Sequence, residues 1–300
     1  MKGRVLIIAG SDSGGGAGIQ ADIKSVTAMN GFAMTAITAL TAQNTLGVHG
    51  VHMVPGDFIA QQIAVVLDDL GADAVKTGML GDAATVALVA EVLRARARGL
   101  AVVVDPVMVA KGGAALLSDD AVAHLRRLLL PMATLLTPNL PEAALLTGMT
   151  ITDEASMHRA AAALLTMGPE AVLLKGGHLP GDELIDLLVT PDATITWRSA
   201  RIHTAHTHGT GCTLASAAAA GLAQGMALAD AVSRARAYVQ AAIFAAPGYG
   251  AGHGPLNHAV TVDVARVAGL RSSAKIYPRA NRRSTNSSRS WPQKISSPMT

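Results

Sequence analysis

Three hundred residues, half of them hydrophobic and only 15% charged, can bury a large core, and with 3% aromatics aliphatic side chains must fill it. The net charge of +3 hides an asymmetry: residues 271–300 carry seven Lys/Arg and no Asp or Glu, so the rest of the chain is net acidic. An acidic body with few stacking rings argues against nucleic acid as a partner, and a single cysteine rules out an intramolecular disulfide and suits a reducing, cytoplasmic location.

The first apolar run, residues 5–9, is too short for a signal-peptide core and reads as a strand. From there strand-like runs at 4–10, 32–40, 72–78, 100–108, 133–139 and 171–177 alternate with helical patterns at 16–31, 55–71, 81–99, 118–131, 141–148 and 152–168. Near-continuous apolar strands separated by helix-length connections predict a mostly parallel sheet buried on both faces. Ser118 with Asp119 and Asp120, and Thr152 with Asp153 and Glu154, read as helix starts; Gly71, Gly99 and Gly168 read as helix ends. Residues 183–197 differ, forming two strand patterns around a TPDA turn, hence an antiparallel edge hairpin. Helices over 211–224 and 228–245 close the domain. The uncharged stretch 209–229 is mostly Ala, Gly, Thr and Ser, which suits a buried helix rather than a membrane span. From about residue 272, Ser, Arg, Asn and Pro dominate. We therefore expect one domain over 1–270 and a basic, disordered tail over 271–300.

In an open parallel sheet, ligands bind beyond the carboxyl ends of the strands. The loops there are polar: GSDSGGGAG (10–18), TAQNT (41–45), KTGML (76–80), DPVMVAKGG (105–113), TPNLPE (137–142), LKGGH (174–178) and HGTGCT (208–213). The first invites a dinucleotide-binding reading, but its spacing departs from G-x-G-x-x-G and no acidic ribose ligand ends the second strand. In the last, Gly209, Thr210 and Gly211 precede Cys212 at a helix start. That arrangement is either a glycine-rich cap or an anion hole in which backbone N–H groups and the helix dipole meet a phosphoryl group. His203, His206 and His208 lie close in sequence but lack zinc-like spacing, so a phosphate-side or structural role is preferred.

Eight segments in order, AGSDSGGGAGIQADIK, TALTAQNTLGV, VKTGML, DPVMVAKGGAALL, LTPNLPEAALLTG, LLKGGH, HTHGTGCTLASA and GHGPLNH, resemble the ribokinase-like kinases. Within these the resemblance is to the hydroxymethylpyrimidine/phosphomethylpyrimidine kinases of thiamine biosynthesis, over roughly residues 3–260. It implies a three-layer α/β/α ribokinase-like fold, ATP and Mg²⁺ as cofactors, a small pyrimidine as substrate and a homodimer without membrane attachment. The implied reaction phosphorylates 4-amino-5-hydroxymethyl-2-methylpyrimidine on its hydroxymethyl oxygen and then again on the monophosphate. Where most of the superfamily has an Asp base, this subfamily has cysteine, here Cys212; a helix N-terminus and nearby cations would lower its pKa.

By the same resemblance Gln43 would meet the amine and ring nitrogen of the pyrimidine, with Gly10, Ala17, Asp22, Met79 and Val107 around the ring. Asp105, Asn139 and Glu142 would hold Mg²⁺, through water or directly, although Asp105 also suits a turn cap and Glu142 a helix N-terminal charge. Lys175 would balance phosphate charge. Pyridoxal kinase, whose usual base is Asp, is a lower-ranked alternative. A pyrimidine-binding regulatory module without turnover is another, disfavoured by the intact GTGCT and NLPE segments.

Overall fold

Strand β1 (Arg4–Asp12) shows why the molecule is layered. Leu6 and Ile8 enter one core, while Val5, Ile7 and Ala9 enter a second on the opposite face. A strand apolar on both faces needs helices on each side of its sheet. The sheet is completed by β2 (Phe32–Gln43), β3 (Val48–Met53), β4 (Ala74–Thr77), β5 (Ala101–Val104), β6 (Leu135–Leu136), β7 (Val172–Lys175), β8 (Glu183–Val189) and β9 (Thr194–Ala200). Its order is β3-β2-β1-β4-β5-β6-β7-β8-β9. Neighbours from β2 through β7 run parallel. β3 at one end and β8 with β9 at the other are antiparallel.

On the Leu6 face lie α2 (Gly56–Asp69), α3 (Ala83–Arg96), α4 (Asp119–His124), α5 (Leu140–Thr147) and α6 (Glu154–Leu165). On the other lie α1 (Gly18–Ala28), α7 (Thr210–Ala223) and α8 (Leu228–Phe244). This is the expected three-layer ribokinase-like α/β/α fold. The computed structural model describes residues 2–108, 117–263 and 265; most of the 105–113 loop and the tail with its boundary at 270 lie outside the described residues. Residues Met1–Val262 form one compact unit; in the second, Asp263–Thr300, the Asp263 carboxylate accepts the Ala265 amide at 2.9 Å.

The expected hairpin is present, closed by the Thr190 amide donating to the Ala193 carbonyl at 2.9 Å, and its second strand runs on to Ala200. Strand β3 was not anticipated. It pairs with the end of β2 over residues otherwise readable as loop, and most of its side chains are exposed. An edge strand that buries no face carries no alternating pattern, and Gly50 in its centre reads as a turn. The helix expected to start at Thr152 is instead capped by Asp153, whose carboxylate accepts the Ser156 amide at 2.7 Å.

Two features position the site. The strand order reverses beside β1, with β2 on one side and β4 on the other, which opens a crevice at their carboxyl ends. Helix α7 then comes close to the sheet because Ala215 and Ala217 to Ala220 are fully buried, and residues this small keep the backbone near the strands. Among the described residues no helix is long and apolar enough to cross a membrane.

Candidate active site

β1 ends in a buried acid. Asp12 Oδ1 accepts the Gly14 amide at 2.8 Å, and Oδ2 accepts the amides of Gly16 at 3.1 Å and Ala17 at 2.8 Å. The same Oδ2 lies 2.8 Å from His208 Nε2. Burial pushes this carboxyl up, but the His208 bond and the amides of Ala17 and Gly14 outweigh it and hold Asp12 below the usual carboxylate range. The glycine-rich turn after β1 is thus already filled by the protein's own anion. That removes the physical basis for a phosphate cradle there, beyond the departures in motif spacing.

The second glycine turn is built differently. Gly209 caps α7 with a left-handed φ of 82° and contributes no side-chain acceptor to the helix amides. A Cβ there would collide with the Gly16 carbonyl oxygen, so both the conformation and the space demand glycine. The Thr210 hydroxyl is turned back, donating to the Thr207 carbonyl at 2.8 Å. This helix start therefore keeps its positive end without a side-chain anion.

Facing it are groups from three strand ends. Lys175 Nζ, at the end of β7, lies 3.2 Å from Asp105 Oδ1, after β5, and the Thr137 hydroxyl, after β6, donates to the same oxygen at 3.1 Å. A Cβ on Gly211 would stand only 3.1 Å from Lys175 Nζ and 3.7 Å from Asp105 Oδ2, so this pair abuts the first turn of α7. Burial opposes the Lys175 charge, yet Asp105 and Glu142 raise its pKa and keep it cationic.

Cys212 follows one residue later, with the Gly18 amide placed to favour its ionised form. The expected lowering of its pKa is not found. Burial pushes the thiol up to about 12; Lys76 pulls it down, but Asp22 and Asp105 add to the rise. The helix start and Lys76 are outweighed first by burial of the thiol and then by the two carboxylates that share this interior.

Asp22 also departs from expectation. Instead of lining a ring pocket it is fully buried, with both oxygens 2.9 Å from Lys76 Nζ and one accepting the Ser216 hydroxyl at 2.7 Å. Lys76 is equally buried, and removing either partner would strand a charge at a cost of about 3–5 kcal/mol. This ion pair lies beneath the site, one helical turn along α7 from Cys212. Sequence reasoning passed over Lys76. Its signal was a lysine inside a buried strand, a position that demands a buried counter-charge.

Of the remaining predicted residues, Gly10 and Met79 meet directly, since a Cβ on Gly10 would lie 2.7 Å from Met79 Cε. Ala17 touches the Gly209 turn, and Val107 sits in the turn after Asp105, donating its amide to the Asp105 carbonyl at 2.9 Å. Gln43 borders His208, with the two Nε2 atoms 3.4 Å apart. Asn139 and Glu142 form a reciprocal capping box on α5, with bonds of 2.9 and 2.7 Å. The helix-terminal role considered for Glu142 is therefore occupied. Burial, opposed by Lys175 and reinforced by Asp105, raises Glu142 to about 7. Asp105 and Glu142 supply hard oxygens of the kind Mg²⁺ takes, while the Asn139 side-chain oxygen is used in the capping box and, among the described residues, no group of three or more His, Cys, Asp or Glu side chains is gathered to hold a metal by itself, so Mg²⁺ would be held with water. The three neighbouring histidines separate: His208 turns to Asp12, His203 lies 3.0 Å from Asp182, and the imidazole of His206 packs against Gly254.

A family model described as phosphomethylpyrimidine kinase matches residues 12–257. The chain belongs to this family. It is 50% identical to the hydroxymethylpyrimidine/phosphomethylpyrimidine kinase of Streptomyces coelicolor, over 85% of this chain and 93% of that protein. It is 51% identical to a bifunctional thiamine biosynthesis protein of Geobacter sulfurreducens over 88% of this chain, but spans only 54% of that longer relative. In structure it resembles an ADP complex of Bacillus subtilis pyridoxal kinase, with a TM-score of 0.80 and 35% identity over 87% of this chain and 98% of that one.

Proposed function

We propose that this chain transfers the γ-phosphoryl group of ATP to the hydroxymethyl oxygen of 4-amino-5-hydroxymethyl-2-methylpyrimidine and, in a second turnover, to the phosphate of the monophosphate. The observation that carries this is the convergence of an uncapped helix start at Gly209–Cys212 with Lys175 and Asp105, in a chain of the phosphomethylpyrimidine kinase family. In the transfer, the bond from substrate oxygen to γ-phosphorus forms as the bond to the β-bridging oxygen breaks, and ADP departs. Backbone donors at the start of α7 and the Lys175 ammonium stabilise the charge that spreads over the phosphoryl oxygens. Asp105 and Glu142, through water, would hold Mg²⁺, which when bound neutralises phosphate charge.

Gln43 offers the pyrimidine a donor and an acceptor side by side, while Gly10, Ala17, Met79 and Val107 bound the ring. Cys212 receives the hydroxyl proton. With its thiol at about 12 it rests protonated, so as the site fills that proton must first leave to solvent, favoured by Lys76 from below, before the thiolate takes the hydroxyl proton. Pyridoxal phosphorylation is the second reading, favoured by the fold shared with the Bacillus subtilis enzyme.

ADP release by purified protein with Mg·ATP, offered the hydroxymethylpyrimidine, its monophosphate or pyridoxal in parallel, tests both. Turnover of both pyrimidines is expected. Turnover of pyridoxal alone reverses the ranking, and pyrimidine-induced thermal stabilisation without ADP would indicate a binding module.

A further inference from the structure

Lys175 has a carboxylate directly across the sheet from it and is bonded to another. In the antiparallel pairing of β7 with β8 it stands opposite Asp186, and Asp186 in turn stands opposite Trp197 on β9. Directly opposed residues show their side chains on the same face, with Cβ atoms about 5 Å apart, well within reach of a lysine. The Lys175 ammonium nevertheless lies 3.2 Å from Asp105 Oδ1, on a different strand end.

Both oxygens of Asp186 are taken. Oδ1 accepts the Gly176 amide at 3.0 Å, and Oδ2 accepts from Arg236 Nε, on α8, at 2.8 Å. Both side chains are buried, and the Arg236 guanidinium lies over the Trp197 ring, 5.2 Å from its centroid. A guanidinium is planar and permanently charged, so it can pair with the carboxylate and cover the ring at once. Lys175, Asp186 and Trp197 thus form a row across three strands, and Arg236 caps the last two. Without that guanidinium a bare buried carboxylate would stand beside a flexible lysine. An uncompensated buried charge is costly, and a four-carbon stem lets the ammonium swing to meet it.

We propose that Arg236 is a positioning residue: by occupying Asp186 it withdraws a competing carboxylate and leaves the Lys175 ammonium facing the open turn at Gly209–Cys212. This rests on the kinase reading above, in which Lys175 meets phosphate. Arg236 touches no reacting atom and acts through Lys175. A clamp that merely holds α8 on the sheet is the competing explanation. As a clamp, the pair is broken by loss of either partner, and activity suffers alike. As a guard on Lys175, loss of the arginine exposes a rival anion, whereas loss of the carboxylate's charge exposes none.

Steady-state kinetics of the full chain, with thermal unfolding alongside, separate these. Arg236→Met should lower kcat/KM for Mg·ATP about 30-fold, with KM for the hydroxymethylpyrimidine, bound at the Gln43 end of the crevice, within about twofold. Asp186→Asn keeps an oxygen for the Gly176 amide and offers Lys175 no charge. It should lower the melting temperature by a comparable amount yet keep kcat/KM for Mg·ATP within about threefold of the parent. Adding Asp186→Asn to Arg236→Met should restore kcat/KM for Mg·ATP to within about threefold of the parent, and in a Lys175→Met background Arg236→Met should lower it no further. Equal losses in the two single variants, or no recovery in the double variant, would overturn the proposal. If Arg236→Met fails to fold, Arg236→Gln, which keeps a side-chain N–H for Asp186 but no charge, is held to the same readouts. Absence of turnover of either pyrimidine by the unaltered protein would instead remove the kinase reading.

Discussion

The glycine-rich turns at Gly14–Gly18 and Gly209–Gly211 look alike on paper and differ in what occupies them. In the first, three amides converge on the Asp12 carboxylate, so its concavity holds an internal anion and serves as structure. In the second, Gly209 brings no side-chain acceptor, and the helix start stays open toward Lys175 and Asp105. The glycines supply the conformation in both turns. Whether an acceptor side chain reaches back decides whether the amides are left for a ligand.

The largest test of this difference is at the open turn. Cys212→Ser should lower turnover roughly 100- to 10,000-fold while pyrimidine affinity stays near normal, as ADP release and calorimetric titration would report. Because Cys212 is the single cysteine, its alkylation rate reads that thiol alone. With the thiol at about 12, the rate in the free protein should climb with pH and show no plateau at neutral pH. A plateau near pH 7 would mean a pre-ionised thiolate.

Gly209→Ala comes next. It combines a left-handed φ with a backbone collision at Gly16, so we expect a stability loss of at least about 1–3 kcal/mol and turnover reduced on the order of 100-fold. Normal activity in a folded Gly209→Ala protein would refute the close joining of the two turns.

At the filled turn, Asp12→Asn should cost about 1–3 kcal/mol at pH 7, measured by urea unfolding. Asp12 has a depressed folded pKa, so its contribution is present above the unfolded value of about 3.9 and disappears as pH falls through the folded one. The gap between variant and parent should therefore narrow below pH 4. A gap that persists unchanged into acid would point to a role other than the carboxylate's charge.

The smallest effect is expected at Lys24, which donates to the Gly15 carbonyl from the exposed side at 2.8 Å. Lys24→Met should alter stability by no more than about 0.5 kcal/mol and KM for ATP by less than about twofold. A large rise in that KM would mean that the first turn does face phosphate.

The layered fold was legible because the strands between β1 and β7 are apolar on both faces and the helices between them have helical length and recognisable ends. β3 was not, since an exposed edge strand with a central glycine writes no period into the sequence. In the site, the residue types at the strand ends were legible: Lys175, Asp105 and Gly209–Cys212 do meet. The burial of Asp22 against Lys76 was not foreseen, Asp12 and Lys76 were passed over, and His208 was given a phosphate-side or structural role without its partner Asp12, because a charge is recognised as buried only when its partner is known. Those partners lie 54 residues away for Lys76 and 196 for His208.

By itself the sequence determined the alternation of strands and helices, the small-residue face of α7 and the presence of polar groups after each strand, all of which depend on neighbours along the chain. Tertiary structure alone decided which glycine turn is filled, that Asp22 and Lys76 neutralise each other beneath Cys212, and that the thiol is raised rather than lowered. These follow from the distances between charges and from the dielectric around them, and both are set only when distant strand ends are brought into one crevice.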